Sequence, residues 1–254
     1  MKERITYFDS LRGLAIIGVV FIHSLKFKDS SFVDISIILR QLINVSVPLF
    51  LALSGFFLAD KKISSKRDFF DFLKKQIPRV YIPYFVWSII FIGVYFFTSK
   101  DFNIVTQIVS FLIFQTSGIF YFIALIIQYY ILFPFIQKYL GKKLLLLSVM
   151  VSFICCIIIF FYQFLTHHNL PLIIYAGNAL TWIMFFVLGM YLKKNSFTVS
   201  KRFVLCIISA TLLLSIGETY LQNSLVGNLS NAVSAVKISS FMCNLPQKAE
   251  HLKI

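Results

Sequence analysis

The segment FDSLRGLAIIGVVFIHS, residues 8–24, places an arginine and a histidine inside an apolar run long enough to cross a membrane. Arg12 and His23 are eleven residues apart. At ~100° per residue this is three turns plus about 20°, so both side chains leave the same face of a helix, about 16 Å apart along its axis. Ionisable groups inside a membrane usually face a protein interior or a wet cavity. The segment therefore predicts a spanning helix with a cation and a titratable imidazole on one face.

The composition of the whole chain agrees with a membrane protein. Of its 254 residues, 59% are hydrophobic and 13% are charged, and the mean hydropathy is +0.85. The formal charge of +14 is divided among short segments between apolar runs. This distribution indicates basic residues that set the membrane topology, and not a binding surface for nucleic acid. The four cysteines form no metal or redox motif, so no metal is expected. The predicted fold class is all-α, a polytopic transmembrane helical bundle.

The apolar runs predict seven clear spans and an incomplete eighth. The predicted spans cover about residues 8–25, 35–59, 80–97, 119–137, 144–165, 171–192 and 203–217, and the eighth lies near residues 225–245. Two connectors have structure of their own: residues 60–79 predict a surface-lying amphipathic helix that begins with a capping box at Ser65, and residues 98–117 an interfacial or re-entrant segment. We divide the chain into a transmembrane domain, residues 5–222, and a weakly apolar remnant with a polar tail, residues 223–254.

The basic residues predict the orientation. With the N-terminus inside, the inner segments hold sixteen Lys and Arg residues and the outer loops hold three. Such a bias is a strong positive-inside signal. The expected location is the cell membrane, plasma or inner, with a cytoplasmic N-terminus, Arg12 at the cytoplasmic end of the first span and His23 toward the outer side.

At Arg12 and His23 the chain resembles the acyltransferase-3 family of integral membrane acyltransferases. The mark of that family is an Arg or Lys, ten residues and then His in the first helix, which Arg12 and His23 meet. The resemblance covers about residues 5–192. Four further blocks follow in the order of the family: VPLFLALSGFFL at 47–58, RVYIPY at 79–84, FYF at 120–122 and FVLGM at 186–190.

The resemblance implies an acyl-CoA donor, acetyl-CoA in the first place, that approaches from the cytoplasm. Its phosphates need cations at an inner mouth, and the guanidinium groups of Arg12 and Arg79 can bind phosphate bidentately. Ser54 and Gly55 would let the backbone approach the thioester or the pantetheine arm. These four residues are the predicted donor-binding set, and membrane lipids are the expected surroundings.

The implied acceptor is a hydroxyl of a cell-surface polysaccharide or a lipid-linked glycan, and it needs a base. His23, with an unperturbed pKa near ~6.5, can take that proton or relay the acyl group, so His23 and Arg12 are the predicted catalytic residues. Asp9 precedes Arg12 by three residues and can orient it through an i, i+3 pair. Tyr84 is a supporting residue at the entry to the third span.

Each assignment has a structural alternative. Arg12 can be a helix-end residue that snorkels to the interface, and His23 a hydrogen-bonded packing residue. Arg79 can be a topological charge. Arg40, within the second span, is either a buried functional charge or the boundary of a tilted helix.

Other functions also remain open. A glycan or lipid transporter or flippase would use buried Arg and His as a substrate or proton path, but the sequence has no repeated halves. The family resemblance implies about ten spans, so the expectation is that the chain is shortened at its C-terminus. An inactive remnant of an acyltransferase is therefore a third alternative.

Overall fold

A computed structural model describes residues 6–24, 35–166, 168, 170–195, 200–226, 232–233, 236–237 and 239. Within these ranges the chain forms helices and no strand, which confirms the all-α class. The predicted polar loop at residues 26–34 and the polar tail at 246–254 lie outside the described ranges. The helices are α1 Thr6–Ser24, α2 Ile35–Ile43, α3 Ser46–Leu58, α4 Lys66–Thr98, α5 Ile104–Leu112, α6 Tyr121–Tyr139, α7 Lys142–Thr166, α8 Leu172–Tyr175, α9 Ala179–Lys194 and α10 Lys201–Val226.

Five helical segments among the described residues are long and apolar enough to cross a membrane. They correspond to the second to sixth predicted spans, and two of them each combine two consecutive helices, α2 with α3 and α8 with α9. The first and seventh predicted spans are helical, as α1 and α10, but are not among the five. A multi-pass helical protein is therefore supported, whereas the count of seven spans is not confirmed.

The structure corrects one predicted boundary. The amphipathic connector helix and the third span form one continuous helix, α4, which runs through Pro78 and Pro83. The predicted capping box at its start is confirmed: the Asp68 amide donates to the Ser65 hydroxyl at 3.1 Å, and the Ser65 amide donates to the Asp68 carboxylate at 2.9 Å. A change from amphipathic to apolar composition therefore does not interrupt the backbone hydrogen bonds of a helix.

The chain divides into two compact units. The first contains α1, α2, α3, α7, α10, nearly all of α9 and the described residues after α10. Glycines allow close contact between its helices: a methyl group on Gly55 would collide with the Phe186 carbonyl, and one on Gly189 with the Ala52 carbonyl. α3 and α9 therefore cross backbone to backbone, as small residues permit in membrane helices.

Buried polar contacts attach the described C-terminal residues to the first unit. The side-chain amide of Asn44, on the link between α2 and α3, donates to the Val233 carbonyl at 3.0 Å, and the amide of Gln41 donates to the same carbonyl at 3.4 Å. The Lys237 ammonium is almost fully buried and donates to the Thr219 hydroxyl on α10. Val233 and Lys237, which fall within the incomplete eighth span, are thus packed against the first unit.

The second unit contains α4, α5, α6 and α8. α5 is nine residues long, too short to cross a membrane, and Asn103 caps its start through hydrogen bonds to Val105 and Thr106. This agrees with the predicted interfacial or re-entrant segment. On α6, the Gln128 amide donates to the Gly177 carbonyl at 2.7 Å, which fixes the backbone after α8.

Candidate functional site

α1 carries the predicted catalytic pair on a face that is open in the described part of the first unit. Its packed face includes Phe8, Ala15 and Ile22, which are buried. Arg12 and His23 are both exposed. They share one helix face, as the spacing predicts, and both side chains are accessible from outside the first unit. That they face one continuous cavity stays a prediction.

The Arg12 end is organised by aromatic rings. The Arg12 guanidinium lies 3.6 Å from the Asp9 carboxylate and 4.2 Å from the centre of the Phe57 ring. Phe57 is itself supported edge-on by Phe8 and Phe56, at 5.3 and 5.7 Å between ring centres. The predicted i, i+3 pair is thus present. Because both partners are exposed, it contributes about 0–1 kcal/mol to stability, so its effect is to orient Arg12.

A second cation lies at the same end of the first unit. The Lys193 ammonium, at the end of α9, lies 5.0 Å from the centre of the Phe56 ring and 3.5 Å from the Asp60 carboxylate. Phe56 and Phe57, which are adjacent on α3, are therefore each contacted by one cation. Each of these cations is also paired with a different carboxylate. Sequence analysis counted Lys193 only as an inner charge, because nothing in the local sequence links α9 to α3.

Arg40 lies at the His23 end of α1. It is half-buried in the last turn of α2, and its Nη1 donates a hydrogen bond to the backbone carbonyl of Ile22, the residue before His23. Ile22 and His23 are adjacent, so this contact places Arg40 next to the backbone of His23. Arg40 therefore packs against α1, and a functional role for its charge stays a prediction.

Ser54 and Gly55 have structural contacts in the first unit. The Ser54 hydroxyl donates to the Phe50 carbonyl one turn earlier at 2.8 Å, and the open side of Gly55 faces the Phe186 carbonyl of α9. The sequence allowed either a helix or a ligand to approach at these small residues, and the structure shows a helix at Gly55. A donor-binding role for the two residues stays a prediction.

The other two predicted residues, Arg79 and Tyr84, belong to the second unit. Arg79 is exposed on α4 and its Nη1 lies 3.5 Å from the Gln76 side-chain oxygen. Tyr84 is fully buried; its hydroxyl donates to the Phe111 carbonyl and its ring stacks on that of Phe111 at 5.3 Å. Tyr84 therefore joins α5 to α4, and a supporting role for it in the site stays a prediction.

Replacing Tyr84 by Phe is expected to remove this hydrogen bond while keeping the stacked ring. The expected cost is about 1 kcal/mol, because the Phe111 carbonyl loses its side-chain donor and keeps only the Phe114 amide, at 3.3 Å. The readout is the melting temperature of the purified protein in detergent, compared with Tyr139→Phe, which removes a hydroxyl from an exposed ring. Equal melting temperatures for the two variants would contradict the role of the Tyr84 hydroxyl.

A polar cleft in the first unit lies away from the predicted residues. It is lined in part by Glu218, Gln222 and Lys237, and none of the predicted site residues lines it. Among the described residues, no group of three or more His, Cys, Asp or Glu is arranged to hold a metal ion. The expectation that the reaction needs no metal stays a prediction.

Comparison with known proteins gives one match. A family model described as an acyltransferase domain, that of the acyltransferase-3 family, matches residues 5–244. Neither a curated protein nor a solved structure matches the chain. The family match covers α1 with Arg12 and His23, the α3–α9 crossing, and the described residues after α10. The chain therefore belongs to the acyltransferase-3 family of membrane acyltransferases.

Proposed function

We propose that the protein transfers an acyl group, acetyl in the first place, from acyl-CoA in the cytoplasm to a hydroxyl of a cell-surface polysaccharide or lipid-linked glycan. The observation that carries this proposal is the arrangement of α1. Arg12 and His23 share one accessible face, Arg12 lies over Phe57, and the Arg40 guanidinium donates to the carbonyl of Ile22, the residue before His23. The protein would act in the cell membrane with its N-terminus in the cytoplasm.

The contacts at the Arg12 end support a cytoplasmic donor site. The beginning of α1 and the ends of α3 and α9 meet there through the Phe56 and Phe57 rings, and in the predicted topology all three are inner ends. A guanidinium that lies over a ring directs its N–H donors away from that ring, so Arg12 could bind a phosphate oxygen pair beside the Asp9 carboxylate. The phosphates of acyl-CoA would bind here, and Arg79 is a further candidate cation on the second unit.

The His23 end would carry the transfer. The imidazole accepts the proton of the glycan hydroxyl while the hydroxyl oxygen attacks the thioester carbonyl. The carbon–sulfur bond then breaks, the thiolate of CoA leaves and takes a proton, and the products are the glycan ester and free CoA. Arg12 and His23 are separated by about 16 Å along α1, so the donor must extend along the helix from its phosphates to its thioester.

The proposal is tested with inside-out membrane vesicles that contain the protein and the glycan, supplied with radiolabelled acetyl-CoA. Label in the glycan, absent from vesicles without the protein, is the expected result. Movement of unlabelled glycan across the membrane would indicate a transporter or flippase, and neither movement nor label would indicate an inactive remnant. Either of these outcomes overturns the proposed function.

Arg12→Lys is expected to raise the KM for acetyl-CoA about tenfold with a smaller change in kcat. The ammonium keeps the charge, but it loses the planar stack on Phe57 and bidentate contact with phosphate. The measurement is the initial transfer rate against donor concentration, normalised to folded protein.

Arg67→Lys is the matched control for this change, because Arg67 is exposed near the start of α4 and has no predicted role in donor binding. The control is expected to keep the wild-type KM. If Arg12→Lys also keeps the wild-type KM, then Arg12 serves only as a topological charge.

A further inference from the structure

The last turn of α1 has backbone carbonyls without a partner in their own helix, as every α-helix end does. In a membrane such a group costs several kcal/mol unless another donor reaches it. Ile22 is among these last four residues of α1, and the Arg40 guanidinium donates to its carbonyl. The contact from Arg40 comes from a different helix, so it also fixes where α1 ends relative to α2.

α2 is held in place from its opposite side. The Gln41 side-chain oxygen accepts a hydrogen bond from the Ser215 hydroxyl of α10 at 2.7 Å. The Asn44 backbone amide donates to the Arg40 carbonyl at 3.0 Å, while its side-chain amide donates to the Val233 carbonyl. Gln41 on α2 and Asn44 just after it anchor this part of the chain to α10 and to Val233, so Arg40 projects toward α1 from a fixed base.

α1 itself is fixed by a close contact just before His23. A methyl group on Gly18 would collide with the Ser46 side chain at the start of α3. Gly18 and Ile22 are four residues apart and lie on the same face of α1, and both are buried. The C-terminal half of α1 is therefore held at two positions, by packing at Gly18 and by a cationic donor at Ile22.

We propose that Arg40 is a positioning residue for His23, an inference that rests on the proposed acyl transfer. By capping the Ile22 carbonyl, the guanidinium fixes the backbone from which the imidazole projects and keeps a positive charge beside it. A cation is also favourable at the C-terminal end of a helix. Arg40 acts through α1 and makes no contact with the reacting atoms.

The main test separates kcat from KM. Arg40→Met keeps a long side chain but removes the donor and the charge, and it is expected to lower kcat about 10²-fold, since a small displacement of a catalytic group has an effect of that size. The KM for acetyl-CoA should stay within about twofold, because the donor phosphates are assigned to the Arg12 end. Arg40→Lys, which restores a cationic donor, is expected to recover part of kcat.

Leu42→Met is the matched control on the same helix. The Leu42 side chain is exposed, so this variant should keep the melting temperature and kcat per folded molecule near wild type. If Arg40→Met lowers the melting temperature while kcat per folded molecule stays unchanged, then Arg40 is only structural and the inference is overturned.

A second measurement does not depend on activity. Amide hydrogen exchange of the peptide that covers residues 20–24 should accelerate in Arg40→Met, because the Ile22 carbonyl loses its donor from α2, and should stay near wild type in Leu42→Met. If the glycan stays unlabelled with the wild-type protein, the proposed function is overturned. The exchange rates alone then decide whether Arg40 positions the last turn of α1. Unchanged exchange in Arg40→Met overturns that role, whether or not the wild type transfers acetyl groups.

Discussion

His23→Ala is expected to reduce acetyl transfer by about 10²–10⁴-fold, the usual effect of losing a general base, while the amount of protein in the membrane stays near wild type. The two effects separate because the His23 side chain is exposed, whereas its neighbour Ile22 is buried and supplies the packing at this turn. Removal of the imidazole therefore changes the chemistry of the exposed face of α1 and has little effect on the packing of the core.

The matched control is Ser24→Ala, one residue further along. The Ser24 side chain is exposed as well, and its hydroxyl is bonded within α1 to the Val20 carbonyl. Both variants are compared in the labelled vesicle assay with protein amounts measured by immunoblot. Wild-type rates in His23→Ala would remove His23 from the mechanism, and a loss of protein equal to the loss of rate would assign it a packing role.

Local spacing accounts for the parts of the site that the sequence predicts correctly. Arg12 and His23 lie on one face, and Asp9 pairs with Arg12, because both relations follow from 3.6 residues per turn. The capping box at Ser65 is equally local and is also confirmed. Each of these needs only the residues of a single helix.

Contacts between helices are what the sequence does not supply. Arg40 reaches Ile22 from another helix, and Lys193 reaches Phe56 and Asp60 from a distant part of the chain. Hydrophobic runs show that helices exist, but they do not show which helices are neighbours. The sequence shows Arg40 as an intramembrane charge, and only its contact with Ile22 shows that it lies at the His23 end of α1.

The continuity of α4 has a different physical explanation. Sequence analysis divided it near residue 80, where charges give way to apolar residues and prolines occur. Proline removes one backbone donor, yet a helix can continue past it when neighbouring groups satisfy the freed carbonyl, which is common in membrane helices. A change in the expected surroundings, from interface to lipid, was therefore misinterpreted as a change in structure.

Gly189→Ala is expected to have the largest effect on folding. The added methyl group would occupy the position of the Ala52 carbonyl, a backbone atom that cannot move unless α3 shifts. Opening the crossing of α3 and α9 would also disturb Gly55, which packs against α9 in the same way. Overpacking of this kind costs about 1–3 kcal/mol, and more where backbone must move, so we expect a large loss of folded protein.

Gly93→Ala provides the control with the same chemical change. Gly93 lies inside α4 with open space around its Cα, so alanine there should stabilise the helix by about 0.5–1 kcal/mol. Melting temperature and the monodisperse fraction in size-exclusion chromatography measure both variants in one detergent. A lower melting temperature for Gly189→Ala and an equal or higher one for Gly93→Ala would support the crossing. Equal stability of the two would mean that α3 and α9 do not pack backbone to backbone at Gly189.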